Sequence, residues 1–203
     1  MTTHATDAPR PADPRTRILT AARQVFAAKG FRGGSLNEIA VAAGLTRAGL
    51  LHHYPSKQDV LVALLEERDR WVREVVPQSS GGATMIEYLD AEVADVLPTL
   101  LDEQELMQLA HMMTAEAARE PHPAHDWVAR RYQVIRARLA ERVRNSAAAG
   151  ELPDGLDPEA TAALMLGIME GLENQWLVEP EAIDIPHALA QLRTLLIAAR
   201  PGR

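Results

Sequence analysis

Side chains able to bind nucleic acid are concentrated in one short stretch of this sequence, between residues 35 and 57. An arginine can pair with the O6 and N7 atoms of guanine, so Arg47 is the first candidate for a base contact. The hydroxyl, amide, imidazole and ammonium groups around it suit phosphate oxygens. The small Gly49 would let the backbone approach a duplex closely. We therefore predict DNA contacts by Ser35, Asn37, Thr46, Arg47, Ala48, Gly49, His52, His53, Tyr54 and Lys57.

The residues of this stretch also predict the helices that would present it. Gly44 suits the positive φ angle of a helix C-terminus, and Thr46 supplies a capping hydroxyl for a new helix. Ser35 and Glu38 have the spacing of a capping box. We expect a helix, a tight turn and a second helix of about two turns, a shape that fits the major groove. Taken singly, Arg47 could equally be a surface arginine.

The rest of the chain reads as helix. A helix from about Pro14 to Lys29 would precede the turn, and a long helix from Ser56 to about Val76 would follow it. In the long helix, the charged residues 66–70 are expected to form a solvated face. Prolines and glycines mark the joints of further helices, which we predict at 84–97, 98–119, 123–149, 157–178 and 185–199.

Basic residues are enriched at the start of the chain. Residues 1–57 carry eight basic and three acidic side chains, a net charge of +5, and residues 58–203 carry −12. This split is typical of a phosphate-binding head on an acidic body, although chance fluctuation would also produce it. We predict an all-α protein with a disordered tail at 1–13 and a helix-turn-helix domain at 14–60. A long helix would join that domain to a helical ligand-binding and dimerisation domain at 61–203.

Composition excludes several classes of protein. The chain has no cysteine, which excludes disulfides, thiolate catalysis and Cys-ligated zinc. It has neither an apolar run of about 18 residues nor an apolar leader segment, so we expect no transmembrane helix and a cytoplasmic location. A Gly-rich phosphate loop, a nucleophile elbow and paired catalytic carboxylates are absent from the sequence, so we expect no enzyme activity and no cofactor. His111, His122 and His125 could bind a metal, but Pro121 and Pro123 flank His122 and favour a turn, so we predict no metal site.

The helix at 157–178 is apolar on two sides, which requires a packing partner on each. On one side, Gly167 and Gly171 lie four residues apart and would let another helix approach closely. An ordinary buried helix of a monomer is the alternative. We predict that this side and the last helix form a homodimer through Leu164, Gly167, Ile168, Gly171, Gln175, Leu189, Leu192 and Leu196.

The other side of that helix, with nearby segments, is rich in methionine and tryptophan. Such surfaces repack around varied ligands, although a methionine stripe is more often plain core. Polar groups beside the stripe would orient a small molecule. We predict a ligand pocket lined by Met107, His111, Met112, Glu116, Trp127, Arg131, Met165, Met169, Glu170 and Trp176.

The segment IAVAAGLTRAGLLHHYPSKQDVL at 39–61 resembles the N-terminal domain of TetR/AcrR-family transcriptional regulators. The upstream FAAKGF at 26–31 resembles the end of that family's first helix. Leu51 stands where the family usually has a tyrosine that contacts phosphate, and His52 or Tyr54 is the candidate replacement.

The resemblance implies a transcriptional regulator, most often a repressor. It would be a homodimer that binds a palindromic operator and that a small-molecule ligand releases from DNA. The alternative is an effector-independent DNA-binding or adaptor protein with a solid helical body.

Overall fold

The structure is a computed structural model that describes residues 13–75, 83–119, 121–153 and 155–199. The expected disordered tail lies outside these residues except for Asp13, as does the Pro/Ser/Gly-rich break at 77–82. Within the described ranges every regular element is helical, which confirms the predicted all-α class. The contacts divide the chain into two compact units, Met1–Leu64 and Leu65–Arg203. This division falls four residues beyond the boundary expected from the sequence.

The described part of the first unit is built from four helical segments around a small apolar core. They are α1 (Pro14–Gly33), α2 (Leu36–Ala42), α3 (Arg47–His53) and the start of α4 (Lys57–Val75). Gly30 interrupts α1 with a φ of 69°, close to the predicted helix end, and only the turn after it is helical again. Phe26 and Phe31 then pack together with their ring centroids 5.7 Å apart. Ile18, Ile39 and Leu50 are fully buried in the same unit.

After α4, the described residues of the second unit form six further α-helices and one π-helical turn. They are α5 (Met85–Ala91), the π-helical turn at Glu92–Val96, α6 (Leu97–Asp102), α7 (Gln104–Ala117), α8 (His125–Ala148), α9 (Pro158–Val178) and α10 (Ile185–Ala198). The expected joint at Pro98 is wrong, because the helical path continues through it and breaks at Glu103. A proline lacks an N–H and crowds the preceding turn, and the wider π-helical turn accommodates both.

The core of the second unit lies between α5, α8, α9 and α10. Leu139, Val143, Met165, Ile185 and Leu189 are among its buried residues. None of the helices in the described ranges is long and apolar enough to cross a membrane.

His122 and His125 form hydrogen bonds within the connection between α7 and α8, where the sequence predicts a turn. The Nδ1 atom of His122 accepts a hydrogen bond from the backbone N–H of Ala124 at 3.1 Å, and its Nε2 lies 3.3 Å from Glu116. The Nδ1 of His125 lies 3.0 Å from the carbonyl oxygen of Ala117. The described residues hold no group of three or more potential metal ligands.

Candidate nucleic-acid interface and internal cavity

Local hydrogen bonds fix α2, the turn and α3. Ser35 caps α2: its hydroxyl accepts from the N–H of Glu38, and the Glu38 carboxylate accepts from the N–H of Ser35. Gly44 forms the turn with a φ of 65°, a conformation that favours glycine. Thr46 then caps α3 by accepting from the N–H of Gly49 at 3.0 Å. The helix-turn-helix predicted from the sequence is confirmed in these details.

The surface of α3 carries most of the predicted DNA contacts. Leu50 is fully buried and anchors the helix, whereas Arg47, Ala48 and His52 are exposed. Gly49 and His53 are half-buried. A side chain at Gly49 would lie 3.3 Å from the Thr46 hydroxyl, so this glycine also has a role in the cap. Further exposed residues of the candidate interface are Ser35, Asn37 and Thr46, with both hydroxyls also engaged in caps.

Of the predicted phosphate contacts, that of Lys57 needs correction, whereas that of the Tyr54 hydroxyl stays a prediction. The Lys57 ammonium group donates to the carbonyl oxygens of Phe31 at 2.8 Å and Gly34 at 3.0 Å, and it lies 4.4 Å from the centroid of the Phe31 ring. Lys57 therefore fixes the link between α1 and α2 instead of projecting into solvent. Tyr54 is 9% exposed, with the Arg15 guanidinium 6.0 Å from its ring centroid. Its ring is therefore part of the domain core.

Replacing Lys57 by methionine is expected to destabilise the protein by about 1–3 kcal/mol, because two partly buried carbonyl groups lose a charged donor. Urea unfolding followed by circular dichroism would measure the change. Arg32→Met, at an exposed position nearby, is the matched control and should change stability little. Weaker DNA binding by the Lys57 variant at unchanged stability would instead show that Lys57 contacts phosphate.

One face of α9 is exposed in the second unit. Leu164 is 70% and Ile168 40% exposed, and a Cβ atom built on Gly167 or Gly171 meets no other atom within 4 Å. Gln175 is exposed on the same face. These five residues are the α9 face that the sequence assigns to dimerisation.

The contribution predicted for α10 needs one correction. Leu189 is 2% exposed and belongs to the core of the unit, so it cannot form part of a subunit interface. Leu192 and Leu196 are half-buried and pack against the same core, which leaves only part of each side chain accessible.

The second unit contains a partly open cavity of about 690 Å³, a volume typical of small-molecule sites. The cavity is not compatible with a solid helical body, so the effector-independent alternative is not favoured. Six of the ten predicted pocket residues line the cavity: Met107, His111, Trp127, Arg131, Met169 and Glu170.

The other four predicted pocket residues are placed elsewhere. Met165 belongs to the core cluster and Trp176 packs against it. Glu116 lies beside His122, and Met112 is absent from the lining of the cavity. Met165 and Trp176 were misassigned because helical spacing identifies the apolar side of a helix, but it does not show which part of that side packs against another helix.

Several residues that line the cavity are not indicated by the sequence. Arg68 and Asp69 belong to the charged segment 66–70 that was expected to be solvated, and both line the cavity. Tyr88, Glu92, Arg142 and Glu173 line it as well. No sequence motif connects these residues, because they lie on five helical segments that only tertiary packing brings together.

Most of the polar groups around the cavity are paired. Arg131 donates to Glu170 at 2.8 Å, and the hydroxyl of Tyr132 donates to the other oxygen of the same carboxylate at 2.9 Å. The Nε2 of His111 lies 2.7 Å from Glu173. These contacts join α7 and α8 to α9 and hold its carboxylates toward the cavity.

A second polar link joins α4 to α8. The indole N–H of Trp127 donates to the Asp69 carboxylate at 2.8 Å, and the Arg68 guanidinium lies 5.7 Å from the centroid of the Trp127 ring. All three residues line the cavity. A molecule bound there would therefore touch the residues that connect these two helices.

Two family models cover most of the chain. The model described as "Bacterial regulatory proteins, tetR family" matches residues 18–64, and the model described as "BetI-type transcriptional repressor, C-terminal" matches residues 86–200. The chain belongs to the TetR family. It is a DNA-binding transcriptional regulator, in a family whose members are typically ligand-responsive repressors and are generally not enzymes.

Individual relatives agree with this assignment over nearly the full length. The HTH-type transcriptional regulator UidR of Escherichia coli is 26% identical over 172 residues, covering 84% of this chain and 83% of UidR. TtgR of Pseudomonas putida is 26% identical over 183 residues, covering 85% of this chain and 84% of TtgR. The solved structure of Salmonella enterica GusR has a TM-score of 0.72 at 26% identity, covering 96% of this chain and 99% of GusR.

Burial perturbs three ionisable groups in the cavity of this TetR-family regulator. It raises the pKa of Glu92 to about 7, an effect that the negative charge of Glu173 increases. It also raises the pKa of Tyr88. Burial and the positive charge of Arg131 lower the pKa of Arg68 to about 10, so this guanidinium remains charged at neutral pH.

Proposed function

We propose that this TetR-family regulator is a homodimeric, cytoplasmic repressor that binds a palindromic operator through α2 and α3. A small molecule in the cavity of the second unit would bind without being transformed and would release the protein from DNA.

The exposure pattern of α3 supports the DNA-binding half of the proposal. The helix is anchored by Leu50 and leaves the side chains of Arg47, Ala48 and His52 accessible to a partner. Arg47 is the first residue of α3, and in helix-turn-helix proteins the first residues of the recognition helix contact base edges. We therefore assign the base contact to Arg47 and phosphate contacts to Asn37, Thr46 and His53.

The cavity is the single observation that carries the ligand-responsive half. Its lining includes Arg68 and Asp69 of α4, and α4 begins at Lys57 in the helix-turn-helix unit. A ligand can shift an equilibrium only if it prefers one of the two states. We propose that the ligand prefers an arrangement of Asp69 and Trp127 that moves α4, and with it the spacing of the two DNA-binding heads.

Replacing Arg47 by alanine is expected to weaken binding to the operator by about 5- to 150-fold, the equivalent of about 1–3 kcal/mol for a lost bidentate base contact. Binding to random-sequence DNA should change little, so the specificity ratio should fall. The operator would first be selected from a random duplex library, and fluorescence anisotropy would then measure both affinities at several salt concentrations.

Arg32→Ala, at an exposed arginine near the end of α1, is the matched control for loss of one positive charge. Equal losses on the selected operator and on random DNA would show that Arg47 contacts phosphate only. An unchanged affinity for both would remove α3 from the proposed interface.

A further inference from the structure

Arg68 is a largely buried arginine in the lining of the cavity. Its side chain is 10% exposed, and its nearest counter-charge is an oxygen of Asp69 at 3.6 Å, beyond hydrogen-bond distance. Its Nε has no hydrogen-bond partner among the residues that the structure describes. A guanidinium cannot escape this position by losing its proton. The charge of Arg68 is therefore opposed by Asp69, Glu170 and Glu173 at a distance, but among the described residues no carboxylate accepts a hydrogen bond from its Nε.

At least four of the seven carboxylates that line the cavity have polar partners. Glu170 accepts from Arg131 and Tyr132, Glu173 lies against His111, and Asp69 accepts from the indole of Trp127. Glu92 has a hydrogen bond with Tyr88. Its carboxylate can also become neutral by taking up a proton, whereas the guanidinium of Arg68 stays charged. A cationic ligand would have to compete with these partners, whereas an anionic group can bind Arg68 and leave every one of them intact.

The surroundings of Arg68 also limit the kind of anion. A planar guanidinium offers paired N–H groups that match the two oxygens of a carboxylate. Asp69, Glu170 and Glu173 all act electrostatically on Arg68, so a doubly charged group such as a phosphate monoester bound there would meet more repulsion than a carboxylate. Trp71, Tyr88 and Trp127 supply an aromatic wall.

We propose that the ligand of this cavity is an aromatic carboxylate whose two oxygens bind the guanidinium of Arg68. Its role as the effector that releases DNA rests on the proposed function, but its binding does not.

Matched compounds on a shared apolar frame would test the proposal. The probes are 1-naphthaleneacetate, phenylacetate and 4-biphenylacetate, each beside its amide and an amine of the same chain length, with 1-naphthyl phosphate as the dianion. Binding to the full-length protein would be measured by thermal shift and calorimetry. We expect at least one carboxylate to bind, and to bind more tightly than its amide, its amine or the phosphate.

Variants of Arg68 and of a nearby arginine outside the cavity lining connect the binding to Arg68. Arg68→Gln should weaken carboxylate binding by about 10- to 100-fold, the range for a buried hydrogen bond to a charged group. Arg68→Lys should retain part of the affinity, because it keeps the charge without the paired N–H groups. Arg70→Gln, at an exposed position of α4 that does not line the cavity, removes the same charge and should change affinity less than about threefold.

The stability of the ligand-free variants separates a binding role from a structural one. Because methionine avoids the cost of burying a charge without a hydrogen-bonded partner, Arg68→Met should lower the melting temperature of the ligand-free protein by no more than the loss of the contact with the Trp127 ring would cause. A larger loss of stability in that variant would identify Arg68 as a structural ion-pair partner and overturn the inference. Tighter binding of the amine, amide or phosphate, carboxylate binding that is unchanged in Arg68→Gln, or no binding by any carboxylate at millimolar concentration would overturn it too.

A DNA-release assay keeps this inference distinct from the proposed function. Carboxylates that bind through Arg68 but leave the operator complex intact would support the site and contradict its role as an effector site. An amine or a neutral compound that releases the operator would overturn the carboxylate assignment and leave the proposed function standing.

Discussion

Replacing Ile168 by glutamate is expected to make this regulator monomeric and to weaken its binding to the operator by about 100-fold or more. The substitution places a charge on the exposed α9 face, where we propose that the second subunit packs. Burying an uncompensated carboxylate in an apolar interface costs several kcal/mol, enough to dissociate most dimers.

The loss of DNA affinity follows from the loss of the second head. Two linked heads bind two half-sites with an effective concentration that raises affinity by about 10²–10⁴ over one head alone. A monomer makes only one set of contacts, so binding to a single half-site should change little while binding to the full palindrome falls.

Analytical ultracentrifugation and anisotropy with full and half operators would measure the two effects. Ala137→Glu adds the same charge at an exposed position of α8 and is the matched control. A dimer that persists in Ile168→Glu would place the interface on another surface. A monomer that binds the full palindrome as tightly as the unaltered protein would separate dimerisation from operator recognition.

The DNA-binding head could be predicted from the sequence because its determinants are local. Ser35 and Glu38 are three residues apart and cap the helix that they begin, and Gly44 alone sets the positive φ of the turn. Lys57 was misassigned for the opposite reason. Its partners, Phe31 and Gly34, lie 26 and 23 residues away, and nothing in the sequence around Lys57 indicates them.

The cavity could be predicted only in part, since its walls depend on tertiary packing. Helical spacing identified the apolar side of α9, but Met165 faces the core and Met169 the cavity although both lie on that side. The π-helical turn at Glu92–Val96 inserts an extra residue into a helical path and changes the direction of the side chains after it. A strict 3.6-residue period cannot anticipate that change.

Glu92 is also a buried group from which we expect a large effect of pH on stability. The carboxyl group is 6% exposed, and its pKa is about 7 in the folded protein against an ordinary value of 4.5. The hydroxyl of Tyr88, the carboxylate of Glu173 and the guanidinium of Arg142 are the groups that act on it electrostatically. The first and third favour its ionised form, but burial and Glu173 outweigh them.

Glu92→Gln is therefore expected to leave stability almost unchanged at pH 5 and to raise it at pH 8. Between pH 4.5 and about 7 the folded protein keeps a proton that the unfolded chain releases, so Glu92 makes stability fall as pH rises through this window. Each pH unit costs about 1.4 kcal/mol, or on the order of 3 kcal/mol over the window. Glutamine resembles the protonated acid in shape but cannot ionise, so the variant avoids this loss.

Urea unfolding at a series of pH values from 5 to 8 would measure the difference in unfolding free energy between Glu92→Gln and the unaltered protein. The titration of all other groups contributes equally to both proteins and cancels to first order in this difference. Glu141→Gln, at an exposed carboxylate that also lines the cavity, is the matched control and should follow the unaltered protein at every pH. A constant difference between Glu92→Gln and the unaltered protein would show that Glu92 is already ionised at pH 5. In that case the positive charge of Arg142, whose guanidinium lies 4.6 Å from the centroid of the Tyr88 ring, would have to compensate the buried carboxylate. The cavity would then carry one more negative charge than it does with Glu92 protonated.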